Sequence, residues 1–253
     1  AILVILLFLA LNLPSVKSFG EIEFWFALIK IVAILGLIIV GAFMVATSFT
    51  SPSGNTAQVS NLWEHGGWFP HGAVGFLGAF QIALFAFLGS ELVGTAAAET
   101  ADPDVTLPRA INAVPIRIIL FYVLTLAIIL MVTPWTEIVP ENSPFVTMFS
   151  LAGLGFAASL INFVVLTSAA SSGNSGIFST SRMIYGLAEE GSAPGIFAKL
   201  SKNGVPRNAL FLTAVLLLSS LILLYAGDSV IAAFTLVTTV AAILAIFNWC
   251  MIL

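Results

Sequence analysis

A chain of 253 residues that is 60% hydrophobic and only 8% charged, with a mean hydropathy of +1.12, is no soluble domain, in which about a quarter of residues carry charge. Its net charge of −4 points to no partner, because in such a chain the placement of charges outweighs their sum. A single cysteine, Cys250, excludes an intrachain disulfide and a multi-cysteine metal site.

Apolar runs between polar breaks give seven spans, at 1–16, 23–47, 74–98, 116–134, 155–187, 208–226 and 229–253. The guide is about 20 residues per bilayer crossing. The first opens at Ala1 inside "AILVILLFLALNLPSV", and the last stops at Leu253 without a polar flank, which reads as an internal piece cut at both ends. No signal-peptide pattern is present.

The second span, "EIEFWFALIKIVAILGLIIVGAFMV", holds Lys30 about eight residues from its start, or about 12 Å deep. Two accounts of it stand. It snorkels its ammonium to the interface, or it is a desolvated lysine that carries a proton during transport. The following loop holds Trp63, Trp68, Phe69, His65 and His71. Interfacial anchoring explains the tryptophans, and without a carboxylate triplet or cysteines at ligand spacing the histidines read as exposed loop residues, not metal ligands.

The third span begins apolar and then breaks, "FAFLGSELVGTAAAET", with Gly89, Ser90, Glu91 and Gly94 in six positions. Glycine costs about 1 kcal/mol in a helix interior, and a carboxylate at membrane depth costs about 2.5–3.5 kcal/mol. Unwound backbone inside a membrane is tolerated only where it lines a cavity or is buried in protein. A half-helix N-terminus freed there would point at an anionic group such as a substrate carboxylate. The glycines alone are equally explained by close helix packing; Glu91 tilts the reading to a functional break. Glu91 and Lys30 fall at similar depth with opposite sign, so an ion pair between them is one arrangement, though no sequence feature shows that their faces meet.

After the break, "ETADPDVTLPRAINAVPIR" reads as a connecting loop, with Asp102-Pro103 and Leu107-Pro108 ending helices. Arg109 and Arg117 set topology there, or latch onto Glu99. "ENSPFVTMFSLAGL" reads as a short interfacial helix started at Ser143-Pro144. The fifth span is too long for a crossing alone; its tail should run on as a helix that ends near Gly191 and Pro194. It carries "TSAASSGNSGIFSTSR", in which Ser168, Ser171 and Ser172 offer oxygens to an ion or to Lys30, unless they serve only close packing. An intramembrane serine hydrolase would need a histidine near the serine, and both histidines lie in the loop before the third span.

Seven of the eight basic residues follow one alternation: Lys17, Arg109, Arg117, Arg182, Lys199, Lys202 and Arg207 flank the same side. The positive-inside rule puts that side in the cytoplasm, residue 1 outside and residue 253 inside. An outside-first, inside-last seven-span order also fits a receptor, against which stands the broken third span.

"FAFLGSELVGTAAAET", "LPRAIN", "IRI", "VTPW", "SPFV" and "FSTSRMIYGLAEEG" resemble the bacterial amino-acid permeases of the amino acid–polyamine–organocation superfamily. "KSFGEIEFWFALIKIVAI", "GGWFP" and "INFVVLTSAASS" resemble the branch that imports glycine, D-alanine and D-serine. The resemblance covers essentially the whole chain. It implies an all-α integral membrane fold with an inverted repeat of five helices, of which 1–47 would hold the last two helices of the first repeat and 74–253 the second repeat, all one partial permease domain. It further implies proton-coupled symport of small neutral amino acids across the inner membrane by alternating access. Phe85, Phe87, Leu88, Gly89, Ser90 and Gly94 match the positions where the broken helix meets substrate. Lys30 and Glu91 match positions tied to proton coupling; Ser168, Ser171 and Ser172 stay, on their residues alone, either polar partners on the fifth span or packing residues. No catalytic residue, metal, cofactor or nucleic-acid partner is expected; the expected partners are the amino acid, protons and the lipid bilayer.

Overall fold

The structure, a computed structural model, describes residues 2–52, 54–89, 102–139, 141–226 and 229–252. Among them every long element is a helix. The first two are α1, Ile2–Asn12, and α2, Val16–Ala46, parted at Pro14, which cannot continue a helix. At 31 residues α2 is about 46 Å long, more than the hydrocarbon core requires. It starts seven residues before the expected span, so Glu23 and Lys30 sit on one continuous helix.

The third helix, α3, covers Gly72–Phe87. Its end comes well before residue 98, and the expected continuation lies outside the described residues. The next segment corrects the sequence reading. Helix α4, Pro103–Ile118, starts at the proline expected to end one, and it holds Pro108 and Pro115 within it. Pro103 occupies the first helical position, where its missing N–H would have no partner in any case. A widened π-type turn at Ile119–Leu124 follows Pro115 and leads into α5, Thr125–Val132, so that an apolar helical run extends from Pro103 to Val132.

The remaining elements fall where the apolar runs put them. Helix α6, Pro144–Leu151, begins just after Ser143 with proline in its first turn. Helix α7, Gly155–Glu189, spans 35 residues and closes with Gly191 at φ 78°, while the N–H groups of Ser192 and Ala193 donate to the Leu187 carbonyl. Helices α8, Arg207–Ala226, and α9, Val230–Ile252, complete the described chain.

Four stretches, Phe19–Ala46, Pro103–Val132, Gly155–Glu189 and Val230–Met251, are long and apolar enough to cross a membrane; α1, α3 and the start of α8 are shorter apolar helices. No more than 22% of the most apolar window of any of the four is buried. Large side chains such as Phe156 (86% exposed) and Val74 (85% exposed) face outward. Water would penalise that surface at about 25 cal/mol per Å², whereas lipid does not. The chain is therefore an integral membrane protein segment of several spans.

Two compact units divide these residues. One comprises residues 27–81 and 112–168, and its core gathers Leu37, Met44, Ile128, Ile129, Val132, Met148, Phe149 and Ile161. Gly41 lets α2 and α5 approach: a Cβ there would lie 2.2 Å from the Ile128 Cγ2. In the same unit the loop before α3 is tied down by the Asn61 side chain, which donates to the carbonyls of Thr56 (2.9 Å) and Met131 (2.8 Å). The other unit comprises residues 1–26, 82–111 and 169–253. There Phe8, Ile177, Val205 and Leu210 join α1, α7 and α8, with Gly173 against the Phe8 ring.

Candidate functional site

Helix α3 stops inside its apolar stretch. The Leu88 N–H turns back to the Phe85 carbonyl at 3.1 Å, and Gly89 takes φ 101°, a conformation in which a side chain would be strained. A helix that stops there presents the negative end of its dipole. Such an end complements a cation, for example an ammonium group. The Phe85 ring meets Phe234 of α9 edge-on at 6.2 Å, which gives the turn an aromatic wall. Phe87 is 39% exposed, and Leu88 and Gly89 are half-buried. Ser90, Glu91 and Gly94 lie outside the described residues, as does Glu99, so the expected Lys30–Glu91 pair and the Arg–Glu99 latch are untouched by the geometry.

Lys30 is half-buried on α2, within the stretch long enough to cross a membrane. The three serines of α7 part company. Ser168 is half-buried, Ser172 is exposed, and Ser171 is only 1% exposed. The Ser171 hydroxyl donates to Glu23 Oε2 at 2.5 Å. A turn further along α7, Asn174 Nδ2 donates to Glu23 Oε1 at 2.9 Å. Asn174 Oδ1 in turn accepts from Asn12 Nδ2 at 2.7 Å, and Asn12 also donates to the Phe8 carbonyl at 2.9 Å. Three helices of one unit thus share a polar chain, Glu23–Asn174–Asn12, with Ser171 beside it.

Sequence reasoning did not single out Glu23, Asn174 or Asn12. Glu23 stood at the first position of an expected span and read as its polar edge. Asn174 was hidden among small residues of "SSGNSG", and Asn12 near a proline break. The available signal was three polar side chains inside apolar helices, each of which demands a partner in lipid.

The loop before α3 is ordered by aromatic and backbone contacts. Trp135 Nε1 donates to the His65 carbonyl at 3.0 Å, and the His71 ring packs edge-on against Trp135 at 5.4 Å. Among the described residues no group of three His, Cys, Asp or Glu side chains is placed to hold a metal ion.

Comparison with known proteins adds the family. The amino acid permease model matches residues 1–253. The chain is 62% identical over 250 residues to the D-serine/D-alanine/glycine transporter of Escherichia coli K12, covering 99% of this chain and 53% of that protein. It is 50% identical over 248 residues to the amino-acid permease AapA of Bacillus subtilis strain 168 (98% and 53%). It is 42% identical over 243 residues to the aromatic amino acid transport protein AroP of E. coli CFT073 (96% and 52%). The chain spans about half the length of the curated relatives it matches. These relatives are named for transport, none for an enzymatic reaction.

Proposed function

The chain belongs to the amino acid permease family, and on that premise we propose that it is part of a proton-coupled symporter importing small neutral amino acids. The helix stop at Phe87–Gly89 carries the reading. Non-helical backbone at membrane depth is tolerated where it lines a cavity or meets protein, and the dipole at the end of a helix there complements a charged group of a zwitterionic substrate. In this mechanism the carbonyls at the end of α3 receive the substrate ammonium, and Phe85, Phe87 and Leu88 enclose a small side chain. Gly89, Ser90 and Gly94 let backbone approach the substrate. Lys30, with Glu91, carries the proton that accompanies it, and Ser168, Ser171 and Ser172 are the polar groups of α7 available to coupling.

The fold proposed for the whole protein is the inverted repeat of five helices, with seven membrane helices in this chain, residue 1 outside and residue 253 in the cytoplasm of a bacterial cell, across its inner membrane. The orientation rests on the alternation of Lys and Arg. Glycine, D-alanine and D-serine are the proposed substrates, supported by the relative at 62% identity whose name states them. A permease of this family with another substrate is the second reading, favoured by the 42% identity to an aromatic amino acid carrier.

Uptake by the full-length protein in proteoliposomes tests this. Labelled glycine, D-alanine and D-serine should saturate and exchange, and unlabelled phenylalanine in tenfold excess should displace no more label than an equal concentration of unlabelled glycine does (binding at least about tenfold weaker, about 1.4 kcal/mol). Displacement by phenylalanine at equal concentration would replace the small-substrate reading by the second one.

A further inference from the structure

We propose that Glu23 is a second proton-carrying group of the transport cycle, distinct from Lys30, held by Ser171 and Asn174 in a site that satisfies its carboxyl group in both charge states. The inference rests on the transport reading above. Its basis is the kind of partners the carboxylate has. Glu23 lies within an apolar stretch of α2 long enough to cross a membrane, yet its two oxygens are held by neutral donors, a hydroxyl and an amide.

A buried carboxylate paired with a cation cannot be neutralised without stranding the opposite charge, a heavy penalty. Neutral partners remove that obstacle. Ionised, Glu23 accepts from Ser171 and from Asn174, as seen. Protonated on Oε2, it donates to the Ser171 oxygen, because a serine hydroxyl is both donor and acceptor and its hydrogen can turn to the carbonyl four residues back. Oε1 meanwhile keeps the Asn174 hydrogen bond. Asn174 cannot swing away, since its own oxygen is held by Asn12 across the helix junction. Asn12 is 4% exposed, and its Oδ1 is a buried acceptor with no partner among the described residues.

The hydrogen bonds described for the Glu23 carboxylate come from neutral groups. Helix α1 has no ionisable side chain. On α7 the ionisable group of the same face is Arg182, two turns beyond Asn174. Its guanidinium lies 3.3 Å over the Phe178 ring, which stacks at 3.9 Å on Phe19. On α2 itself Lys17 and Glu21 are exposed and half-buried Lys30 lies two turns beyond Glu23, while Arg207 at the start of α8 is exposed. The proton comes from water admitted on one side, forms the Oε2–H bond, and leaves to water on the other; no redox change occurs.

The test uses the full-length protein in proteoliposomes with labelled glycine, comparing wild type, Glu23→Gln, Glu23→Asp and Ser171→Ala. A one-unit inward pH gradient supports up to about tenfold accumulation by a symporter that moves one proton per cycle. That proton is bound at Glu23 at one stage and at Lys30 at another, so that loss of either group uncouples transport. Glu23→Gln, which keeps the hydrogen bonds but not the proton exchange, should bring the accumulation ratio to about 1 while lowering glycine exchange far less, and Glu23→Asp should restore most of the ratio. Wild-type accumulation in Glu23→Gln, or an equal loss of exchange and accumulation, overturns the proposal. If Glu23→Gln does not fold, Ser171→Ala decides: a loss of accumulation greater than the loss of exchange supports the proposal, and an unchanged ratio overturns it. If wild type neither accumulates nor exchanges glycine, D-alanine or D-serine, the transport reading fails first.

Discussion

The core around Leu37, Gly41, Ile128 and Met148 and the seam around Asn12, Glu23, Ser171 and Asn174 hold helices together by different means. In the first, contact is apolar and close, with Leu37 fully buried and Met148 1% exposed. In the second, contact is a chain of directed hydrogen bonds. Lipid is as apolar as leucine, so burial alone drives membrane helices together weakly; shape and hydrogen bonding do the rest. A shape-based junction has one good arrangement. A hydrogen-bonded one can exchange partners at low cost, which suits it to a moving part, and the contrast can be broken experimentally at either end.

The largest effect should come from the close-packed junction. Gly41→Val places branched carbon where even a Cβ lies 2.2 Å from Ile128, and should cost about 3 kcal/mol or more, seen as loss of folded protein and a lower melting temperature in detergent. Asn174→Leu should rank next. It removes one donor from Glu23 and leaves the Asn12 amide short of an acceptor, for about 1–3 kcal/mol of stability together with a loss of gradient-driven uptake. Gly173→Ala sets a methyl 2.7 Å from the Phe8 ring edge, against about 1 kcal/mol of better helix propensity. A net loss of about 1 kcal/mol is expected, and Phe8→Leu in the same protein should recover it. Ser172→Ala closes the series: exposed one position from Ser171, it should stay within about 0.5 kcal/mol of wild type in stability and lower gradient-driven uptake less than Ser171→Ala does. An effect of Ser172→Ala equal to that of Ser171→Ala would erase the distinction between the seam and its surface.

Much of this architecture was legible because lipid imposes a simple pattern. The apolar runs located α2, α7, α8 and α9, the pair Ser143-Pro144 announced α6, and Gly191 announced the end of α7. Proline misled at α4. Its power to end a helix depends on where it falls, and Pro103 falls where no N–H is needed. The polar seam was illegible for a different reason. Which helix faces meet is a tertiary fact, so Ser171, Ser168 and Ser172 looked alike in sequence, and Glu23 looked like the edge of a span. The turn at Leu88–Gly89 was legible from glycine in an apolar helix, and Ser90, Glu91 and Gly94 lie beyond the described residues.

The most direct test of the account compares the full-length wild type with Lys30→Ala in proteoliposomes, following labelled glycine and D-alanine with and without an inward proton gradient. Wild type should concentrate both only with the gradient, and Lys30→Ala should lose that dependence while still exchanging substrate. Concentration by wild type without any ion gradient, or neither uptake nor exchange of any amino acid, would contradict it.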